Sequence, residues 1–178
     1  METAATPLSV HHSFATIFSY PGDQIKSTTR QLSCTPGLSE VTSAHLTDFV
    51  ETIEGMASWK LEESFTYTFD MNPSACLELG WHLFGESYER GEFLVKMRQS
   101  LKKYGIPETT ELPDHISHCL QVLERLEEKE AMSFVQSYLF PALKKITESL
   151  PEDNVYRPAA QALNTYLIEK YPNNEEMK

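Results

Sequence analysis

The sequence predicts an all-α protein, a single globular helical domain of roughly eight or nine helices. Three observations lead there. Apolar residues recur every three or four positions in almost every segment. Pro, Gly and capping residues separate these segments. Of 178 residues, 40% are hydrophobic, enough to bury one sizeable core without the help of a metal or a disulfide. No heptad pattern persists, so the expectation is a globule rather than a coiled coil. The domain should cover residues 1–172, with 173–178 a frayed, flexible polar tail.

Taken in order, Phe14, Ile17 and Phe18 form a short helical stripe that Pro21 and Gly22 end. Ile25 to Leu32 adds another helix before the break at Cys34, Thr35, Pro36 and Gly37. Ser39 is placed to cap a helix whose face carries Val41, His45, Phe49, Ile53 and Met56, broadened by Leu46 and Val50. Trp59, Leu61 and Phe65 follow. Phe65, Tyr67 and Phe69 then alternate with Thr66 and Thr68, which by itself suits a strand. A lone strand would have no partner, so a helix ending near Asp70 is expected.

Asn72 and Pro73 read as a helix start, because Asn caps free amides and Pro lacks only a hydrogen bond that the first turn does not use. Leu77, Trp81 and Phe84 would share a face of that helix, and Gly85 would stop it. A second helix should open near Ser87, carry Phe93, Leu94, Met97, Leu101 and Tyr104 inward, and end at Gly105 and Pro107. Gly91 lies inside it at a cost of about 1 kcal/mol relative to Ala, so its expected use is to let another group come close. Beyond the turn at Pro113, Asp114 and His115, a row of Ile116, Leu120, Leu123 and Leu126 backs onto a face of Glu124, Arg125, Glu127 and Glu128. The strongest stripe runs from Ala131 to Leu150, with Pro141 predicting a kink. A last helix holds Tyr156, Ala159, Ala160, Leu163, Tyr166 and Leu167.

Composition narrows the function. Fifteen basic against 26 acidic residues give a formal charge of −11, which repels nucleic acid and anionic lipid and favours a basic partner. No apolar run approaches the roughly 18 residues that span a bilayer, and no signal pattern opens the chain, so a cytoplasmic location is expected. The three cysteines, Cys34, Cys76 and Cys119, match no zinc or redox spacing and suit a reducing compartment.

The richest cluster of chemistry is Asp114, His115, His118 and Cys119. On a helix His115 and Cys119 would share a face and could offer two corners of a zinc site, but no second pair supplies the rest. The bland reading is a half-buried helix start. No phosphate-cradling loop or nucleophile elbow is present. Arg90, among Glu86, Glu89 and Glu92, is expected to form an internal salt bridge, with clamping of an acidic partner as its other use. Trp81 and Phe84 suit either a core or a helix-binding groove.

Four stretches in this order, IFSYPGDQI, TYTFDMN, HLFGESYERGEFLVKM and ELPDHI, resemble the NarJ-type (nitrate reductase delta subunit) branch of the TorD/DmsD family of redox enzyme maturation chaperones. They span about residues 17–123. The resemblance implies a cytoplasmic, all-helical chaperone that is not an enzyme and holds no working cofactor. It would bind the N-terminal leader, or leader remnant, of a molybdoenzyme catalytic subunit. It would hold that subunit for insertion of molybdopterin cofactor and iron-sulfur cluster before membrane docking or export. Carried over by position, the peptide-binding residues would be Pro113, Asp114 and His115, with Leu77, Trp81 and Phe84, and with Glu86 and Arg90 as rim or structural charges. The sequence departs from the family pattern after the turn, where Ser117 and the run Leu120, Gln121, Val122, Leu123 replace a Pro and a Leu-Glu-Phe-Leu run. Nitrate reductase or a relative is the expected client. Two other readings stand beside it: a small metal-dependent hydrolase using Asp114, His115, His118 and Cys119, and a helical interaction module with an unrelated partner.

Overall fold

A computed structural model describes residues 8–172. Helix α1 (Val10–Ile17) begins where Ser9 accepts a hydrogen bond from His12 N, and α2 (Ile25–Ser33) ends before Gly37, whose φ of 91° makes the break. Ser39 caps α3 (Glu40–Glu54) by accepting from Thr42 N at 3.1 Å. That cap turns Thr42 inward with Leu46, Phe49 and Ile53, and leaves Val41 54% exposed. The expected face is therefore rotated, because α3 packs between α2 and α10 (Arg157–Lys170) along the Leu46–Phe49–Ile53 line.

Helix α4 (Ser58–Phe65) runs on into a π-helical turn at Thr66–Asp70, as the expected end near Asp70 requires. The π turn explains the strand-like alternation. Phe65 and Phe69 both face Tyr156, with ring centroids 5.6 and 5.1 Å away, while Tyr67 between them is 62% exposed. Phe49 completes this aromatic centre at 5.3 Å from Tyr156. Trp59, at the start of α4, is exposed.

Helix α6 (Tyr88–Tyr104) buries Phe93, Met97 and Leu101 and ends at Gly105 in the left-handed conformation. Helix α7 (Ile116–Leu123) is the centre of the molecule. Seven of its eight residues are buried, with α1 on one side and α6 on another. The expected charged face does not exist, because Glu124, Arg125, Glu127 and Glu128 fall beyond the last turn of α7. Its apolar side chains point to more than one side, and its polar Ser117 and His118 are buried with hydrogen-bond partners, as an interior helix requires.

The long C-terminal stripe is one rod in three parts: α8 (Glu128–Phe134), a π turn (Val135–Leu139) and α9 (Phe140–Ser149). Pro141 sits in the first turn of α9, where its missing N–H is not required, and the π turn ahead of it absorbs the irregularity. Counting each rod once gives nine continuous helices among the described residues. Tyr171 closes the fold: its hydroxyl is hydrogen-bonded to His11 Nε2 at 3.1 Å, tying the end of α10 to α1. The tail expected at 173–178 lies outside the described residues.

Candidate peptide-binding site

The helix expected from Asn72 starts seven residues later, as α5 (Leu79–Phe84). Asn72 Oδ1 accepts from Ser74 N at 3.1 Å and closes a local turn instead of capping a helix. The chain then extends to an isolated antiparallel bridge between Glu78 and His115. Leu79 N donates to Asp114 O at 3.1 Å, and Ile116 N donates to Leu77 O at 2.8 Å. Helix α5 therefore begins where the Pro-Asp-His turn meets it.

A six-residue helix does not stand alone in water. This one is held from three sides. Asp114 Oδ2 accepts from Gly80 N at 2.8 Å, so the cap comes from a residue 34 positions away. Trp81 Nε1 donates to Pro73 O at 3.0 Å, and the His82 ring is hydrogen-bonded to Cys76 O at 2.7 Å. From α9, Lys145 Nζ donates to His82 O at 2.6 Å. Gly85, at φ 60°, ends the helix as expected.

Close packing at this junction is at Gly80. A Cβ there would sit 2.6 Å from Asp114 Oδ2 and 3.1 Å from the Phe93 ring. Gly91, the glycine expected to admit a neighbour, has open space around it. The Asp114 carboxyl is fully buried. Burial raises its pKa, against the lowering by the Gly80 and Asp114 amides and by the Arg90 charge. Among the described residues its second oxygen, Oδ1, has no hydrogen-bond partner, nor does the buried Nε of Arg90.

Among the described residues Arg90 does not form the expected salt bridge. Its guanidinium lies over the Trp81 ring, 5.3 Å from the centroid, while Glu86, Glu89 and Glu92 stay in solvent. An aromatic face offers a weakly hydrated guanidinium a partner with little desolvation of carboxylates.

The Asp-His-His-Cys cluster is spent on the backbone. His115 Nδ1 caps α7, accepting from Ser117 N at 3.3 Å and pairing with Ser117 Oγ at 2.8 Å. His118 Nδ1 bonds Leu112 O at 2.9 Å and its Nε2 meets Thr109 Oγ1 at 3.3 Å. Cys119 Sγ donates to Asp114 O at 3.5 Å. Burial lowers the His115 pKa to about 3, helped by His118, and pushes the Cys119 thiol well up. These groups are thus a neutral imidazole and an inert thiol near neutral pH. Among the described residues no three His, Cys, Asp or Glu side chains are grouped to hold a metal.

Burial divides the residues singled out from the sequence. Leu77, Pro113, Asp114 and His115 are buried and offer no surface to a docked peptide in this conformation. They form the frame. Trp81 and Phe84 are partly exposed, with Leu83 between them, and Glu86 is exposed beyond Gly85. From Phe84 an aromatic line crosses to Phe93 at 5.6 Å, to Tyr138 at 4.8 Å and to Phe134 at 5.3 Å. It leads to a groove of about 430 Å³ between α6 and α8, which contains none of the peptide-binding residues that the resemblance implies. Its sequence signal was weak: the groove forms only when Met97 and Tyr104 of α6 meet Leu126 and Phe134 from distant segments.

Comparison with known proteins agrees with this architecture. A crystal structure described as that of a redox enzyme maturation protein from Archaeoglobus fulgidus superimposes with a TM-score of 0.61, covering 94% of this chain and 99% of the other at 21% identity. That likeness is one of fold. A Bacillus subtilis (strain 168) protein named as a nitrate reductase molybdenum cofactor assembly chaperone, NarJ, is 27% identical over 112 residues. The matched part is 62% of this chain and 61% of the relative. The family model described as nitrate reductase delta subunit matches residues 35–151, a stretch that contains α3 to α9 with the Asp114–Gly80 junction at its middle. The chain belongs to the nitrate reductase delta subunit family.

Proposed function

We propose that this protein is a maturation chaperone that binds the N-terminal leader, or leader remnant, of a molybdoenzyme catalytic subunit, nitrate reductase or a relative. It holds that subunit while molybdopterin cofactor and iron-sulfur cluster are inserted. The family match over residues 35–151 carries the reading. The geometry supports it in kind: the buried turn at Pro113–His115 fixes α5 so that Trp81, Leu83 and Phe84 present a partly exposed apolar edge, with Glu86 beside it. An amphipathic leader with basic residues would place its apolar side on that edge and its charge toward the acidic surface. In this reading Leu77, Pro113, Asp114 and His115 shape the contact without making it.

The role is tested on the client. The molybdenum content of the catalytic subunit, purified from native cells with and without this chain, should fall severalfold when the chain is absent. Unchanged molybdenum content would end the proposal.

A further inference from the structure

The groove between α6 and α8 has an apolar floor of Met97, Val122, Leu126 and Phe134, with Tyr104 and Tyr138 as walls. Its rim carries Lys96, Lys103 and Lys129 against one carboxylate, Glu130. In a chain with 26 acidic and 15 basic residues, this is a local reversal of the field. None of the three lysines is in an ion pair among the described residues. Lys96 Nζ instead donates to the Tyr138 hydroxyl at 2.8 Å and lies 4.9 Å over its ring. Lys103 Nζ does the same with Tyr104, at 2.8 and 4.6 Å. Both ammonium groups are thus drawn along the groove wall, with N–H donors to spare.

We propose that this groove docks an acidic amphipathic helix of a partner polypeptide. Apolar side chains at spacings of three and four would fill the floor, and flanking carboxylates would meet the lysine rim. A small anion is a poorer fit, because the lysines are exposed and the floor is apolar. The proposal does not depend on the leader reading, since a basic leader would meet like charge here. At physiological salt the screening length is about 8 Å, so the rim rather than the overall negative charge governs a docked helix.

The test is calorimetric titration of the full chain with two synthetic amphipathic peptides of about 18 residues, or about five turns. They share their Leu spacing and carry either Glu or Lys on the polar face. The Glu-faced peptide should bind one saturable site at least about tenfold more tightly than the Lys-faced one. Joint Lys103→Glu and Lys129→Glu substitution should reverse that order, and joint Lys103→Gln and Lys129→Gln should abolish it. Lys60→Glu, on α4, should leave it intact. Absence of binding by the Glu-faced peptide, equal binding of both, or a preference that survives either double substitution would overturn the proposal.

Discussion

At the scale of single residues, the close approach expected at Gly91 is found at Gly80 instead. Gly91 sits in the first turn of α6, where an unexplained glycine invites a packing reason, yet it is in solvent with nothing near its missing Cβ. Gly80 begins a helix and is the one against which Asp114 and Phe93 close. Neither fact is legible locally, because Gly80 meets Asp114 only through a contact across 34 residues. The two substitutions should therefore have opposite signs in chemical denaturation. Gly91→Ala should stabilise by about 0.5–1 kcal/mol through helix propensity. Gly80→Ala should destabilise by about 1–3 kcal/mol, because the new methyl displaces the capping carboxylate. Asp114→Ala should cost a similar amount, about 1–3 kcal/mol, by leaving the Gly80 amide without its acceptor. Asp114→Asn keeps an acceptor without the buried charge and should cost less than Asp114→Ala. Equal losses for the two Asp114 variants would show that the cap is not what Asp114 contributes.

At the scale of elements, most helices were legible, because periodicity and caps are local: Ser39 capping α3, Gly85 ending α5 and Gly105 ending α6 all lie where the residues indicate. What was not legible is set by partners far along the chain. Helix α5 starts late because the segment before it pairs with His115, and the TYTFD segment hides a π turn behind an alternating pattern. The buried face of α7 also has a consequence for pH. Burial holds His115 at a pKa of about 3 and His11 of α1 at about 4, both far below the ordinary 6.5. A depressed histidine pKa gives stability that is present above pH 6.5 and is lost as pH falls toward those values. Asp114, with its raised pKa, has the opposite sign: its contribution is present below the usual carboxylate range and fades as pH rises. Acidification from neutral pH toward pH 5 should therefore lower stability, at up to about 1.4 kcal/mol per pH unit for each histidine. His115→Asn should make the dependence shallower. A melting temperature that is flat over this interval would contradict the burial of these rings as neutral bases.

At the scale of the whole molecule, the negative surface and the Trp81 edge make linked predictions. Binding of a basic leader should weaken as salt rises, because long-range attraction is screened within about 10 Å at 0.1 M. Trp81→Ala should weaken it by at least about tenfold, the range of an aromatic anchor, while helix content by circular dichroism is kept. The family was legible in the sequence through motifs such as GESYERG and ELPDHI, and the structure gives them a physical content: ELPDHI supplies the Asp114 that caps α5, and GESYERG ends α5 at Gly85 and opens α6. The resemblance carries Pro113, Asp114 and His115 over as peptide-binding residues, the residues alone suggest a half-buried helix start, and in three dimensions all three are interior. The most direct measurement is calorimetric titration of the purified chain with synthetic N-terminal leader peptides of the molybdoenzyme catalytic subunits from the same cell, with a scrambled control. Saturable binding of one leader, lost in the scrambled peptide and weakened by Trp81→Ala, is the predicted result. Failure of every leader to bind, or binding that the scrambled sequence matches, would contradict the account.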